Sequence, residues 1–245
     1  MPNPIQILKI PFRPLTESQA RKQILTLLKG QKSVRIFTPN PEILMKARKN
    51  DALRRALLRA DLLLPDGVGV ILASRLAGTP LPCRITGIDT AEWLLSVAEK
   101  EGLSVYLLGG KAGVAEAASQ SLKKRFPALR VAGAHHGYFD KAPTSKENRE
   151  VVAKIQKASP DLLFVCFGCP AQEIWIEENT PALPSLRLSM GLGGCLDVWS
   201  GQKRRAPAVF RRTGTEWLFR ALREPRRFGA LLRAPLFFWA VCKDR

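Results

Sequence analysis

A chain of 245 residues with 46% hydrophobic content can bury one large α/β core and still carry a short appendage. Its 39 Lys and Arg against 21 Asp and Glu give a net charge of +18, which calls for a polyanionic partner: nucleic acid, an anionic membrane surface or a phosphorylated substrate. Five scattered cysteines argue against a disulfide framework, the first residues lack the basic-then-apolar pattern of a signal peptide, and no apolar run reaches the roughly 18 residues of a transmembrane helix. The expectation is a cytoplasmic protein.

In chain order, apolar runs that read as strands alternate with helical patterns. A strand at Val34–Phe37 precedes a helix at Glu42–Lys49, and a strand at Leu62–Leu64 precedes a helix at Val68–Leu76. A helix at Thr90–Lys100 follows, then a strand at Val105–Leu108, a helix at Val114–Arg125 and a strand at Leu129–Ala132. A helix at Arg149–Lys157 and strands at Leu162–Phe167 and Leu186–Met190 complete the series. Most strands are apolar throughout, as in a sheet covered on both faces. The alternation predicts a doubly wound, largely parallel, Rossmann-like sheet over residues 1–201. Beyond Gly201 the composition shifts. Residues 202–245 hold twelve basic and three acidic residues, a charge of +9, and are expected to form a short basic, aromatic, helical C-terminal appendage.

Ligands of such sheets bind at the carboxyl ends of the strands. There the sequence places Thr38-Pro39-Asn40-Pro41-Glu42, Pro65-Asp66-Gly67, Gly109-Gly110-Lys111-Ala112-Gly113, Gly168-Cys169-Pro170-Ala171-Gln172-Glu173 and Gly191-Leu192-Gly193-Gly194. Five such loops on one edge outline a cleft. The Gly109, Gly110, Gly113 turn opens a helix and suits a phosphate, or is a plain tight turn. Asp66 is placed either as a general base or as a helix N-cap. Arg84, ahead of a helix, suits a bidentate grip on a diphosphate, with Thr86 or Asp89 as the cap.

Other motifs are set aside. A dinucleotide cofactor would need an acidic residue after the next strand, where the chain has Gly133-Ala134-His135-His136-Gly137. Adjacent His135 and His136 do not make a metal site, Cys166 and Cys169 lack a second pair, and no D-x-D follows a strand, so neither metal nor cofactor is expected. In the appendage, Arg204, Arg205, Arg220 and Arg227 are interleaved with Trp217, Phe219, Phe237 and Trp239. That mixture suits an interfacial membrane segment, and no nucleic-acid motif accompanies it.

Taken together, Thr38–Glu42, Pro65–Gly69, Arg84–Asp89, Gly168-x-Pro170-x-Gln172-Glu173, Gly191–Gly201, Arg204–Pro207, Glu216-Trp217 and Arg220 resemble the WecG/TagA/CpsF glycosyltransferases over nearly the whole chain. The resemblance implies an inverting, metal-independent transfer of N-acetylmannosamine or a related sugar from a UDP-sugar to an undecaprenyl-diphosphate-linked N-acetylglucosamine, in teichoic acid or surface polysaccharide synthesis. It implies Asp66 as base, with Thr38, Asn40, Arg84 and Gln172 in the pocket; Gly109, Gly110, Gly193 and Gly194 are further candidates for substrate binding at the loop edge. It also implies that Arg204, Arg205, Arg220 and Arg227 meet the acceptor diphosphate and the inner face of the membrane. The chain departs from the pattern at Ala230, where a basic residue is frequent. Two rivals are a nicotinamide-dependent oxidoreductase, for which neither Tyr106 nor Tyr138 sits in a suitable pair, and a non-enzymatic membrane or nucleic-acid binder. A homo-oligomer is compatible with the sequence.

Overall fold

The computed structural model describes residues 3–223 and 234–244. Six parallel strands form one sheet: β3 (Val34–Phe37), β4 (Leu62–Leu63), β5 (Ser104–Gly109), β6 (Arg130–His135), β7 (Leu162–Cys166) and β8 (Leu188–Gly191). Their order is β4-β3-β8-β7-β5-β6. A separate antiparallel hairpin, β1 (Ile5–Ile7) and β2 (Ile10–Phe12), precedes them. The architecture is the doubly wound α/β class, with all six sheet strands parallel.

Every residue of β5, β7 and β8 is buried, because helices cover both faces. On one face Ile36, Leu107, Phe164 and Met190 pack with α1 (Glu17–Leu28), α5 (Gly87–Glu101), α6 (Val114–Arg125) and α9 (Cys195–Trp199). On the other, Phe37, Leu108, Leu163 and Val165 pack with α2 (Pro41–Ala47), α3 (Asp51–Leu58), α4 (Val68–Leu76), α7 (Lys146–Ala158), α8 (Ala171–Asn179) and the hairpin. The final helix, Ala234–Lys243, joins this second layer: Phe237, Ala240 and Val241 are buried in the same core.

Three elements escape the periodicity reading. The hairpin has three-residue strands, and its turn places Leu8 and Lys9 at positive φ, without the Gly or Asn that signals such a turn. Leu8 is nevertheless buried, so core packing offsets the backbone cost. Helix α1 carries a readable start: the Thr16 hydroxyl accepts from the Gln19 N–H at 3.3 Å while the Gln19 side chain accepts from the Thr16 N–H at 2.9 Å. Helix α3 is capped by Asn50, whose side chain accepts from the Leu53 N–H at 2.9 Å. The last strand begins at Leu188 rather than Leu186, since Leu186 is held in a turn by Leu183.

Between β3 and β8 the connections diverge. The loop after β3 leads into α2 on one face of the sheet, while the loop after β8 leads into α9 on the opposite face. At this switch point the loops leaving the two carboxyl ends separate and leave a crevice.

Candidate active site

The loops at this edge are tied into a row. The Asp66 N–H donates to the Pro39 carbonyl at 3.2 Å and the Ile85 N–H to Pro65 at 2.9 Å. Gly87 sits so close to Thr38 that an added Cβ would come within 3.0 Å of its hydroxyl and 3.6 Å of Leu192. The Leu192 N–H donates to Val165 at 2.9 Å, and the Gly110 N–H to Cys166 at 3.3 Å. Thr38, Asp66, Arg84, Gly87 and Leu192 are thereby gathered around the switch point.

Asp66 is half-buried. Helix α4 is capped by Gly67 without a side-chain hydrogen bond, so Asp66 is not the cap of its own helix. Its Oδ2 instead accepts, at a long 3.4 Å, from the N–H of Gly87, the first residue of α5. Sequence-distant elements thus place a carboxylate at the positive end of another helix. The cap of α5 itself is Thr86, which accepts from the Asp89 N–H at 3.3 Å.

Asn40 caps α2 through Oδ1, 3.0 Å from the Ile43 N–H. Arg84 reaches into the appendage: Nη2 donates to the Arg211 carbonyl at 2.7 Å, and Nη1 lies 3.7 Å from Glu216. Arg211 belongs to α10 (Ala208–Arg212) and Glu216 opens α11 (Glu216–Arg223). Gly214, between them, packs on Val68 at the start of α4. The first part of the appendage therefore lies against the loop edge. Arg205 forms ion pairs with Asp89 and Glu92 of α5, while Arg204 is exposed. Burial alone would raise the Asp89 carboxyl, but the Thr86 hydroxyl and Arg205 guanidinium outweigh it and hold it below its usual range. The Arg220 side chain and the whole of Arg227 lie outside the described residues.

Gln172 is buried at the start of α8. Its Oε1 accepts from the Gly193 N–H at 2.8 Å and the Gly168 N–H at 3.2 Å, and its Nε2 donates to Glu173 Oε1 at 2.9 Å. One side chain therefore bridges the loops that follow β7 and β8. Gly109 and Gly110 have positive φ, and a Cβ at Gly109 would meet the Cys166 carbonyl at 2.4 Å. The Gly110 donor faces inward to Cys166, so this glycine serves the turn. Gly193 has positive φ, and Gly194 caps α9 and is exposed.

Sequence reasoning gave no role to two residues at this edge. Lys141 has its ammonium 4.7 Å from the ring centres of both Phe139 and Phe167, and donates to the Gly137 carbonyl at 2.6 Å. Burial pulls its pKa down. Glu173, adjacent to Gln172, is only 1% exposed. Neither has a periodic signature; each is defined by contacts from distant segments. The Cys166 thiol is pushed up to about 12 by burial, and the Cys169 thiol is also pushed up, by burial and then by Glu173. Neither is suited to thiolate chemistry.

A cavity of about 640 Å³ lies elsewhere, lined by Asn3, Ile5, Leu8, Thr79 and Val241. Helix α4 starts at the loop edge and runs back, so Thr79, beyond its end, marks the opposite edge of the sheet. None of the loop-edge residues lines that cavity, and the loop edge is the better candidate site. Among the described residues, no group of three or more His, Cys, Asp or Glu is placed to hold a metal ion. No helix of the described residues is long and apolar enough to cross a membrane.

Residues 5–245 match the model of the glycosyl transferase WecG/TagA/CpsF family, and the chain belongs to that family. It is 38% identical over 218 residues to an N-acetylglucosaminyldiphosphoundecaprenol N-acetyl-beta-D-mannosaminyltransferase of Bacillus spizizenii, covering 89% of this chain and 82% of that protein. It is 36% identical over 243 residues to proteins of the same name from Staphylococcus aureus strains MRSA252 and MW2, covering 98% of this chain and 93% of each.

Proposed function

We propose that this chain transfers N-acetylmannosamine or a related sugar, with inversion and without a metal, from a UDP-sugar to an undecaprenyl-diphosphate-linked N-acetylglucosamine. The observation that carries the reading is the half-buried Asp66 carboxylate at the switch point, flanked by Thr38, Arg84 and the N-terminus of α5. The names of the relatives supply the acceptor and the sugar.

Inversion asks for an acceptor hydroxyl attacking from the face opposite the departing UDP, with a base beside it. Asp66, oriented by the Gly87 N–H, takes that proton. Charge developing on the leaving diphosphate is met by Arg84 and by backbone N–H groups at the loop edge. Thr38 and Asn40 border the sugar, and Gln172 holds the loop edge beside Gly193. Residues 1–201 carry this chemistry. Residues 202–245, with a charge of +9, hold the enzyme at the anionic inner face of the membrane, where Arg204, Arg205, Arg220 and Arg227 approach the acceptor diphosphate. The exposed Trp217, Leu236 and Trp239 support that role.

The test is UDP release from UDP-N-acetylmannosamine with a short-chain polyprenyl-diphosphate-N-acetylglucosamine. Release that depends on the acceptor, with a disaccharide product of inverted anomeric configuration, is the expected result. Absence of transfer with this and related donors overturns the reading.

A further inference from the structure

Glu173 has no role in the chemistry above, yet it is the most completely buried acid of the loop edge. It sits on α8 with one carboxylate oxygen, Oε1, accepting from the Gln172 amide at 2.9 Å. The other oxygen, Oε2, is buried and has no hydrogen-bond partner among the described residues. Burial raises its pKa, against smaller opposing effects of the Gln172 amide, the nearby Cys169 thiol and Lys46. Lys46 in turn pairs with Glu42 at 2.8 Å and donates to the Cys169 carbonyl at 3.3 Å. The titratable groups acting on this acid are therefore Lys46 from α2, itself paired with Glu42, and Cys169 from the loop after β7.

The Gln172 amide is polar at both ends, and its two ends need opposite partners. Its oxygen faces two N–H donors, from Gly168 and Gly193. Its nitrogen faces Glu173 and packs against Gly191, where an added Cβ would lie 3.0 Å away. With Glu173 absent, a buried NH₂ group would have no acceptor there, which favours turning the side chain out of its slot. Both loop N–H groups would then lose their partner together. We propose that Glu173 is a positioning residue: by accepting from the Gln172 amide it locks the clamp that fixes the loops after β7 and β8, and with them the pocket floor at Gly193. The inference borrows from the transfer reading only its activity readout.

Two variants and one wild-type measurement test it. In Glu173→Leu, which keeps bulk and removes the acceptor, backbone exchange at Gly168 and Gly193 should accelerate at least tenfold, and kcat should fall roughly tenfold with a smaller change in KM. In Glu173→Gln, whose amide oxygen still accepts from Gln172, exchange and kcat should return to within about threefold of wild type. Unchanged exchange in the Leu variant, or a Gln variant as impaired as the Leu variant, overturns the proposal. Should the Leu variant not fold, the wild type decides: the Gln172 side-chain amide protons must exchange far more slowly than those of the exposed Gln120, and equal rates overturn the clamp. Because exchange needs no substrate, a wild-type enzyme inactive with every donor would reject the transfer reading and leave the clamp standing.

Discussion

Replacing Asp66 by Asn separates a base from a structural carboxylate. The asparagine carbonyl can still accept from the Gly87 N–H, so the 3.4 Å contact to α5 survives. What disappears is the charge and the basicity. A negative charge near the first turn of a helix contributes about 0.3–1 kcal/mol at a partly exposed site. In a chain of this size that corresponds to a melting-temperature change of no more than about 4 °C. Loss of a general base costs roughly 10²–10⁴ in rate, or about 2.7–5.4 kcal/mol of transition-state stabilisation. The two effects differ enough to be told apart. The assay is acceptor-dependent UDP release under saturating donor, paired with thermal unfolding and with donor binding by calorimetry. The expected variant is folded, binds donor and turns over at least a hundredfold more slowly. Turnover close to wild type would refute Asp66 as base. A collapse of donor binding or of folding in parallel with activity would show that its role is structural.

Excess EDTA should leave turnover of the wild type unchanged; loss of turnover that Mg²⁺ or Mn²⁺ restores would show that a metal takes part. Truncating the appendage would also strip Phe237, Ala240 and Val241 from the core, so a point change tests its membrane role more cleanly. Trp239, 61% exposed on the final helix, should upon Trp239→Ala lower affinity for anionic vesicles by roughly tenfold at unchanged thermal stability, and unaltered vesicle binding would count against this face. Glu173 gives a pH signature. Its folded-state pKa lies above the ordinary carboxylate value, so the native state retains a proton that the unfolded chain releases. Stability therefore falls as pH rises from the ordinary Glu range up to the folded pKa. Glu173→Gln removes that slope, and urea unfolding from about pH 5 upward should show the variant gaining on the wild type with rising pH; parallel curves would contradict the shift.

The contact of Arg84 with Arg211 and Glu216 bears on how the two parts of the chain work together. On the proposed reading, in which Arg84 meets the diphosphate, these contacts make its grip sensitive to where those helices lie. The Arg205 ion pairs with Asp89 and Glu92 add a second link, to the helix whose N-terminus holds Asp66.

Much of the architecture was legible without coordinates, for a local reason. Strands such as Val34–Phe37 and Leu162–Cys166 are covered on both faces, so nearly every position is apolar, and helices Val68–Leu76 and Val114–Arg125 fall where the periodicity places them. The loops at the strand ends were equally visible, because Gly, Pro and Asp at the close of an apolar run mark a chain leaving a sheet. Strand order was not visible, since parallel neighbours such as β3 and β8 are far apart in sequence and pair through backbone groups common to all residues. The hairpin escaped because its turn rests on Leu8 and Lys9, neither of a residue type that signals positive φ, and the backbone cost is offset by the burial of Leu8. The same distinction runs through the site. The sequence marked Asp66, Arg84 and Gln172 as candidates at the carboxyl edge of the sheet. Only the tertiary structure decided that Asp66 serves the N-terminus of α5 rather than that of α4, that Arg84 turns toward Glu216, and that Gln172 clamps two loops with Glu173 at its back. Each of those assignments depends on a partner brought close by packing, and one-dimensional spacing carries no record of it.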